Sequence, residues 1–135
     1  MYQLDFEEMR FYNAGKAGIS VEVEIKFRDS SLTFEAKVDT GSTACIFERV
    51  QGEKLGLNIE KGSPQDFSAV TGSFTAYGHL VTMIVAGFEF NSNIFFAKDE
   101  SFKRNVLGRN GWLDRVIVGI NDYDGKLYLS RYESE

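Results

Sequence analysis

The chain has few of the residues on which many enzymes and secreted domains depend. Of its 135 residues, one is a cysteine, Cys45, and one is a histidine, His79. A single cysteine forms no internal disulfide, which favours a reducing compartment, so we expect a cytoplasmic protein. Nothing pairs His79 with Cys45 or with a serine, so a Cys-His or Ser-His catalytic site is not indicated. We interpret Cys45 as a small core residue and His79 as a strand residue.

Long apolar segments and an excess of positive charge are also missing. No run approaches the roughly 20 apolar residues of a membrane-spanning helix, and the acidic residues 1–8 are unlike a signal peptide. The formal net charge of −5 argues against nucleic acid and membranes as partners. Hydrophobic residues, at 43% with 12 Phe, suffice for one domain with its own core.

Two short motifs resemble ligand sites but have the wrong spacing. Residues 13–18 contain Gly-Lys without the spacing of a phosphate-binding loop or a following helix, so we interpret them as a turn. Residues 122–125, Asp-Tyr-Asp-Gly, begin like a calcium loop but lack the later ligands, so we interpret them as a hairpin turn. The sequence therefore predicts no metal and no cofactor.

Alternation of apolar and polar residues predicts strands along most of the chain. Residues 19–27 alternate most strictly, and a turn at 28–31 returns the chain into residues 32–38 as a hairpin. Further strands are predicted at residues 45–47, 67–70, 74–85, 88–90, 94–97, 115–120 and 126–131. Short helices are predicted at 48–57 and after Gly111, and 98–105 is predicted to be a charged, solvated connection. The fold class is all-β, with a closed or nearly closed sheet and one or two short helices.

An Asp-Thr-Gly turn follows the second arm of the first hairpin. Asp39 comes where that strand ends, and Thr40 and Gly41 allow the backbone to turn sharply. A carboxylate at the end of a rigid strand has the fixed position and the access that a general acid or base needs. The alternative interpretation is a capping or turn aspartate, which Asp-Thr-Gly also suits.

A second apolar strand runs into a glycine turn at residues 106–110, Val-Leu-Gly-Arg-Asn, and a hairpin with a glycine tip lies between the two turns. With both turns in this order, residues 19–131 resemble the retropepsin-type aspartic proteases, which include the retroviral proteases and their single-domain cellular and bacterial relatives. The resemblance implies a closed β-barrel with a flap hairpin. It also implies a domain at 19–131, preceded by an N-terminal arm or edge strand at 1–18 and followed by a tail at 132–135.

The resemblance assigns roles to individual residues of the two turns. Asp39 would be the catalytic aspartate, Thr40 would hold the active-site loops together through its hydroxyl, and Gly41 would line the cleft. Ser42 would support the same loop, and Arg109 would be a structural arginine. Retroviral enzymes have a second aspartate that pairs with this arginine, and the chain has none there, so the partner of Arg109 is open.

The resemblance also implies where the substrate would bind. The flap tip would consist of Val70, Thr71, Gly72 and Ser73. Pockets for apolar substrate side chains would be lined by Ile46, Val70, Phe74 and Val116.

A single Asp-Thr-Gly supplies one carboxylate, whereas aspartic protease chemistry uses two. A chain of 135 residues is too short for a second lobe, so we expect a two-fold symmetric homodimer. The implied function is an aspartic endopeptidase that hydrolyses an extended polypeptide, with two Asp39 side chains sharing a proton. The alternative is a catalytically inactive module of the same fold that dimerises or binds peptides. Whether the chain is a fragment of a larger protein stays open.

Overall fold

Strands dominate the part of the chain that the computed structural model describes, residues 1–133. The strands are β1 (Glu8–Phe11), β2 (Ser20–Phe27), β3 (Ser30–Val38), β4 (Ile46–Phe47), β5 (Ser63–Ala69), β6 (Gly72–Val85), β7 (Phe88–Ala97), β8 (Val106–Leu107), β9 (Val116–Asn121) and β10 (Lys126–Arg131). One α-helix, α1, spans Arg49–Lys54, and 3₁₀ turns occur at Ile59–Lys61 and Leu113–Arg115. The all-β prediction is confirmed. Of the predicted tail, Ser134 and Glu135 lie outside the described residues.

Seven of the strands form one sheet that closes on itself. Their order is β2-β3-β8-β4-β7-β6-β5, and β2 also pairs with β6, so that six strands form a ring and β5 extends from it. The short strand β8 lies between β3 and β4, parallel to β3 and antiparallel to β4. The ring is mostly closed: β8 pairs with only two residues of β3, and β4 pairs with only two residues of β7. The predicted closed or nearly closed sheet is therefore present.

The ring encloses the main hydrophobic core. In β2, Val21, Val23 and Ile25 are buried while Glu22 and Lys26 face solvent, as period-two alternation predicts. The largest fully buried side chains elsewhere include Trp112, Phe47 and Phe96. Each such side chain contributes about 1.5–3 kcal/mol by leaving water.

A second, three-stranded antiparallel sheet has the order β1-β10-β9. Glu8 of β1 pairs with Leu129 of β10, and just before β1 the Phe6 ring lies 5.6 Å from the Tyr128 ring. The predicted N-terminal arm thus contributes a strand to the chain's own sheet. Within residues 1–133, β1 and β9 form the two outer edges of this sheet.

Three elements differ from the predicted extent by three residues or more, and the first is β5, which begins at Ser63 rather than at residue 67. Polar residues 91–93 interrupt the apolar pattern, so two strands were expected, yet β7 is continuous because it pairs with β6 through that stretch. The buried Ser92 hydroxyl there donates to the Gly111 carbonyl at 2.7 Å. Helix α1 ends at Lys54 rather than residue 57, since Gly56 adopts a left-handed φ of +91°. Within residues 1–133, no helix combines the length and apolar character needed to cross a bilayer.

Candidate active site

Asp39 directly follows β3, where the chain leaves the closed sheet. Its backbone N–H donates to the Leu107 carbonyl of β8 at 2.9 Å. Its side-chain Oδ1 accepts a hydrogen bond from the Gly41 N–H, also at 2.9 Å. The side chain is half-buried. These two bonds hold the backbone and the carboxylate of Asp39 in place while part of the carboxyl group stays accessible.

The turn after β3 and the turn after β8 lie side by side. The Arg109 N–H donates to the Ser42 carbonyl, and the Asn110 N–H donates to the Thr43 carbonyl, each at 2.9 Å. Two turns that are far apart in the sequence therefore form one hydrogen-bonded unit around Asp39.

The close approach of these turns depends on a residue without a side chain at position 108. A Cβ atom on Gly108 would lie 2.1 Å from the Ala44 carbonyl oxygen and 2.8 Å from the Ser42 carbonyl oxygen. Both atoms belong to the backbone, so neither can move aside without moving the turn. Gly108 is therefore the residue that allows the two turns to touch.

Cys45 packs behind the joined turns and is fully buried. Its Sγ lies 3.9 Å from the Gly108 carbonyl oxygen. Burial raises the pKa of the thiol to about 12. The position agrees with the predicted core role, and the raised pKa keeps the thiol protonated near neutral pH.

We expect Cys45 to be unreactive in the folded protein. The thiolate is the reactive form, and both the raised pKa and the burial oppose its attack on a disulfide reagent at pH 8. The measurement is the rate of thiol modification before and after unfolding in guanidinium, where one thiol per chain should react. A Ser30→Cys variant, which adds an exposed thiol in β3, should gain one fast-reacting group. Rapid modification of the native wild type would contradict the buried placement.

A groove of about 670 Å³ opens between Asp39 and the β5–β6 hairpin, and we name it the Asp39 groove. It is lined by residues of the Asp39 turn, of the hairpin, of β4 and of the segment that leads into and begins β8: Asp39, Gly41, Ser42, Thr43, Ile46, Phe67, Ser68, Ala69, Val70, Thr71, Phe74, Phe102, Arg104 and Val106. The ladder between β6 and β7 ends at Ala76, whereas β5 and β6 stay paired as far as Gly72. The hairpin therefore projects from the ring beside the carboxylate.

The tip of the hairpin is Val70–Thr71, because Ala69 already pairs with Gly72. The predicted tip at 70–73 includes this turn and extends two residues beyond it, into β6. Gly72 instead begins β6 with a φ of +132°, a conformation that other residues avoid. Ser73 pairs with Ser68 within the hairpin and does not line the Asp39 groove.

Aromatic side chains connect the β5–β6 hairpin to β7 and to the segment before β8. The Phe67 and Phe74 rings stack at 5.6 Å between centroids, and Phe67 meets Phe95 of β7 at 5.2 Å. Phe74 in turn lies 4.9 Å from Phe102. Phe102 belongs to the segment 98–105 that was predicted to be solvated, and for this residue the prediction was wrong. One phenylalanine in a charged run was the signal that could have identified it.

Of the other predicted site residues, some line the Asp39 groove and some do not. The side chains of Thr40 and Arg109 are exposed, and neither forms a side-chain hydrogen bond within residues 1–133. Arg109 joins the turns through its backbone alone. Ile46, Val70 and Phe74 line the groove, but Val116 does not, because it is buried in the main core. The prediction for Val116 was wrong.

Two other features lie apart from the Asp39 groove. His79 of β6 is a strand residue, as predicted, and its Nε2 lies 2.9 Å from the Ile59 carbonyl oxygen. A second groove of about 480 Å³ lies beside β2 and carries charges of both signs, including Arg10, Lys16 and Glu35. Within the described residues, no group of three or more His, Cys, Asp and Glu side chains is placed to hold a metal ion.

Comparison with known proteins identifies no relative: no family model matches the chain, and no curated protein does. The chemistry of the site must consequently be inferred from its own geometry. That geometry consists of one carboxylate, two joined turns and a groove bounded by a projecting hairpin.

Proposed function

We propose that the chain is a retropepsin-like aspartic endopeptidase that acts as a homodimer. The observation that carries the proposal is the position of Asp39, at the end of a strand and in a groove that a projecting hairpin bounds. Among the described residues that line this groove, Asp39 supplies the only carboxylate. A fixed, partly accessible carboxylate beside a space for substrate is what general acid–base catalysis needs.

The homodimer follows from the number of carboxylates. The sequence contains one Asp-Thr-Gly, and the reaction uses two acidic groups that face each other. Thr40, Gly41 and Thr43 of the Asp39 turn are exposed, so a second copy can approach this turn around a two-fold axis. The C-terminal hairpin, β9 and β10, resembles that of the cellular relatives, whose last strands form the dimer interface, and the outer edge of β9 offers backbone groups for such pairing.

In the dimer, two Asp39 carboxyl groups would share one proton, because two carboxylates about 3 Å apart cannot both ionise cheaply. The ionised group takes a proton from a bound water as the water oxygen attacks the scissile carbonyl carbon. The protonated group donates to the developing oxyanion. A proton then passes to the leaving amine as the C–N bond breaks, which restores the shared-proton state.

The substrate would bind as an extended strand along the Asp39 groove. The backbone of the hairpin tip, around Val70 and Thr71, can pair with the backbone of the substrate, as in other cases where a peptide adds a strand to a sheet. Ile46, Phe74 and Phe102 give the groove an apolar lining. Apolar substrate side chains would be buried against these residues.

The proposal predicts peptide hydrolysis whose specific activity falls when the enzyme is diluted. Dilution separates the two halves of the site, so activity per chain drops below the dimer dissociation constant. The measurement is cleavage of a pool of internally quenched peptides over a range of enzyme concentrations, with sedimentation velocity on the same samples. A hydroxyl-containing transition-state analogue should inhibit the cleavage and shift the chain toward dimer.

Two results would contradict this proposal. Activity per chain that stays constant in a monomeric sample would exclude a shared site. Peptide binding without any cleavage would favour the non-catalytic binding module instead.

A further inference from the structure

The Asp39 groove contains one basic side chain. Among the described residues that line it, Asp39 and Arg104 are the only charged ones, and the rest are apolar, small or hydroxyl-bearing. The chain as a whole carries a net charge of −5. Arg104 therefore gives the described lining of the groove a positive charge, whereas the chain as a whole carries a negative net charge.

The backbone next to Arg104 is held firmly. The carbonyl of Asn105 accepts a hydrogen bond from the Lys37 N–H at 2.8 Å, and its side-chain Oδ1 accepts one from the Glu48 N–H at 3.0 Å. Val106 then enters β8 and pairs with both β3 and β4. Arg104 therefore directly precedes a residue, Asn105, whose backbone and side chain are both hydrogen-bonded to other parts of the fold.

The guanidinium of Arg104 forms no salt bridge and no hydrogen bond within residues 1–133, although Asp99 lines a neighbouring groove with it. It lies over the Phe102 ring, whose centroid is 5.4 Å from Arg104 Cζ. Stacking on an aromatic ring limits where the guanidinium can go and leaves its N–H donors free.

We propose that Arg104 makes the groove select peptides that carry an aspartate or glutamate side chain close to the scissile bond. This inference rests on the proposed endopeptidase function and names its substrate class. A guanidinium with free donors binds a carboxylate through two parallel hydrogen bonds, which is the geometry that an acidic side chain supplies. The expected apolar pockets remain, and Arg104 adds an anionic preference beside them.

The two-fold symmetry of the proposed dimer determines where in the substrate the acidic side chain would bind. A two-fold dimer contains two Arg104 side chains, and the axis passes between the two Asp39 groups where the scissile bond lies. One Arg104 therefore stands on each side of that bond. The preference for an acidic side chain should appear at two positions, placed symmetrically before and after the cleavage site.

The test uses internally quenched peptides that differ by glutamate or glutamine at one position at a time, on both sides of the scissile bond. We expect the wild type to cleave the glutamate peptide about tenfold faster in kcat/KM at one symmetric pair of positions, consistent with a charge-assisted hydrogen bond. Arg104→Met should bring this glutamate-to-glutamine ratio to about one, and Arg104→Glu should favour the glutamine peptide over the glutamate peptide. High salt should weaken the wild-type preference.

The matched control is Lys103→Met, which removes the neighbouring positive charge outside the Asp39 groove. This variant should keep the wild-type ratio. Equal kcat/KM for glutamate and glutamine peptides in an active wild type would overturn the role of Arg104 and leave the endopeptidase proposal standing.

A binding measurement separates the two proposals if no peptide is cleaved. Fluorescence anisotropy would compare labelled glutamate and glutamine peptides on the Asp39→Asn variant and on the same variant carrying Arg104→Met. A glutamate preference that disappears with Arg104→Met would support the Arg104 site while the endopeptidase function fails. Equal affinities would overturn the Arg104 proposal.

Discussion

Replacing Asp39 with asparagine is expected to lower kcat/KM for peptide hydrolysis at least about 10³-fold, in line with the loss of a general acid–base group. Asparagine has the same shape but cannot exchange a proton with water or the substrate. Its Oδ1 can still accept the Gly41 N–H that Asp39 accepts now, so the turn should keep its conformation. The measurement is kcat/KM together with thermal unfolding and sedimentation of the same variant.

The control for this substitution is Asp29→Asn, in the exposed turn between β2 and β3. It makes the same change of charge at a carboxylate outside the Asp39 groove, so activity should stay close to that of the wild type. An Asp39→Asn enzyme that folds, dimerises and keeps more than a tenth of its activity would exclude the aspartic mechanism.

Gly108→Ala is expected to produce the largest loss of stability of any single-methyl change at the site. The added Cβ would stand 2.1 Å from the Ala44 carbonyl oxygen, which no rotamer change can relieve. The two turns would have to separate, which breaks hydrogen bonds such as that from Arg109 to Ser42. We expect a loss of about 3 kcal/mol or more in the free energy of unfolding.

Denaturant unfolding measures this loss of stability. The rate of peptide hydrolysis by Gly108→Ala should also fall, because Asp39 belongs to the same unit of joined turns. The matched control is Gly15→Ala, in the exposed turn after β1, where a Cβ would meet only the side-chain oxygen of Asn13, at 3.2 Å. That variant should unfold within about 0.5 kcal/mol of the wild type, as exposed substitutions usually do. A Gly108→Ala variant as stable as this control would mean that the turns do not touch in solution.

Strand positions were largely predictable from local pattern. The alternation in β2 and β3 identifies both arms of the first hairpin, since successive side chains of a strand point to opposite faces. Pattern alone failed at β7, where the polar residue Ser92 is buried for a reason that lies in another segment of the chain. Ser92 donates to Gly111, a contact that no local period can indicate.

The position of the candidate site was predictable from the sequence, and its surroundings were less so. Asp39 and the turn at Gly108 stand out in the sequence because each ends an apolar strand. The sequence did not indicate that Phe102 and Arg104 line the groove, because the charged run 98–105 looks like a solvated connection. These two residues line the groove because β8 is inserted between β3 and β4, which brings the preceding segment beside the Asp39 turn.

The amino-acid sequence by itself determines the all-β class, the position of Asp39 at the end of a strand and the presence of a hairpin between two glycine turns. They do so because strand alternation and turn chemistry are properties of neighbouring residues. The closure of the ring by β2 and β6, the pairing of β1 with β10 and the contact of Gly108 with Ala44 are decided only by the folded chain. Each of these joins residues that are distant in sequence, and such partners are selected by shared burial and by the need of backbone groups for hydrogen bonds.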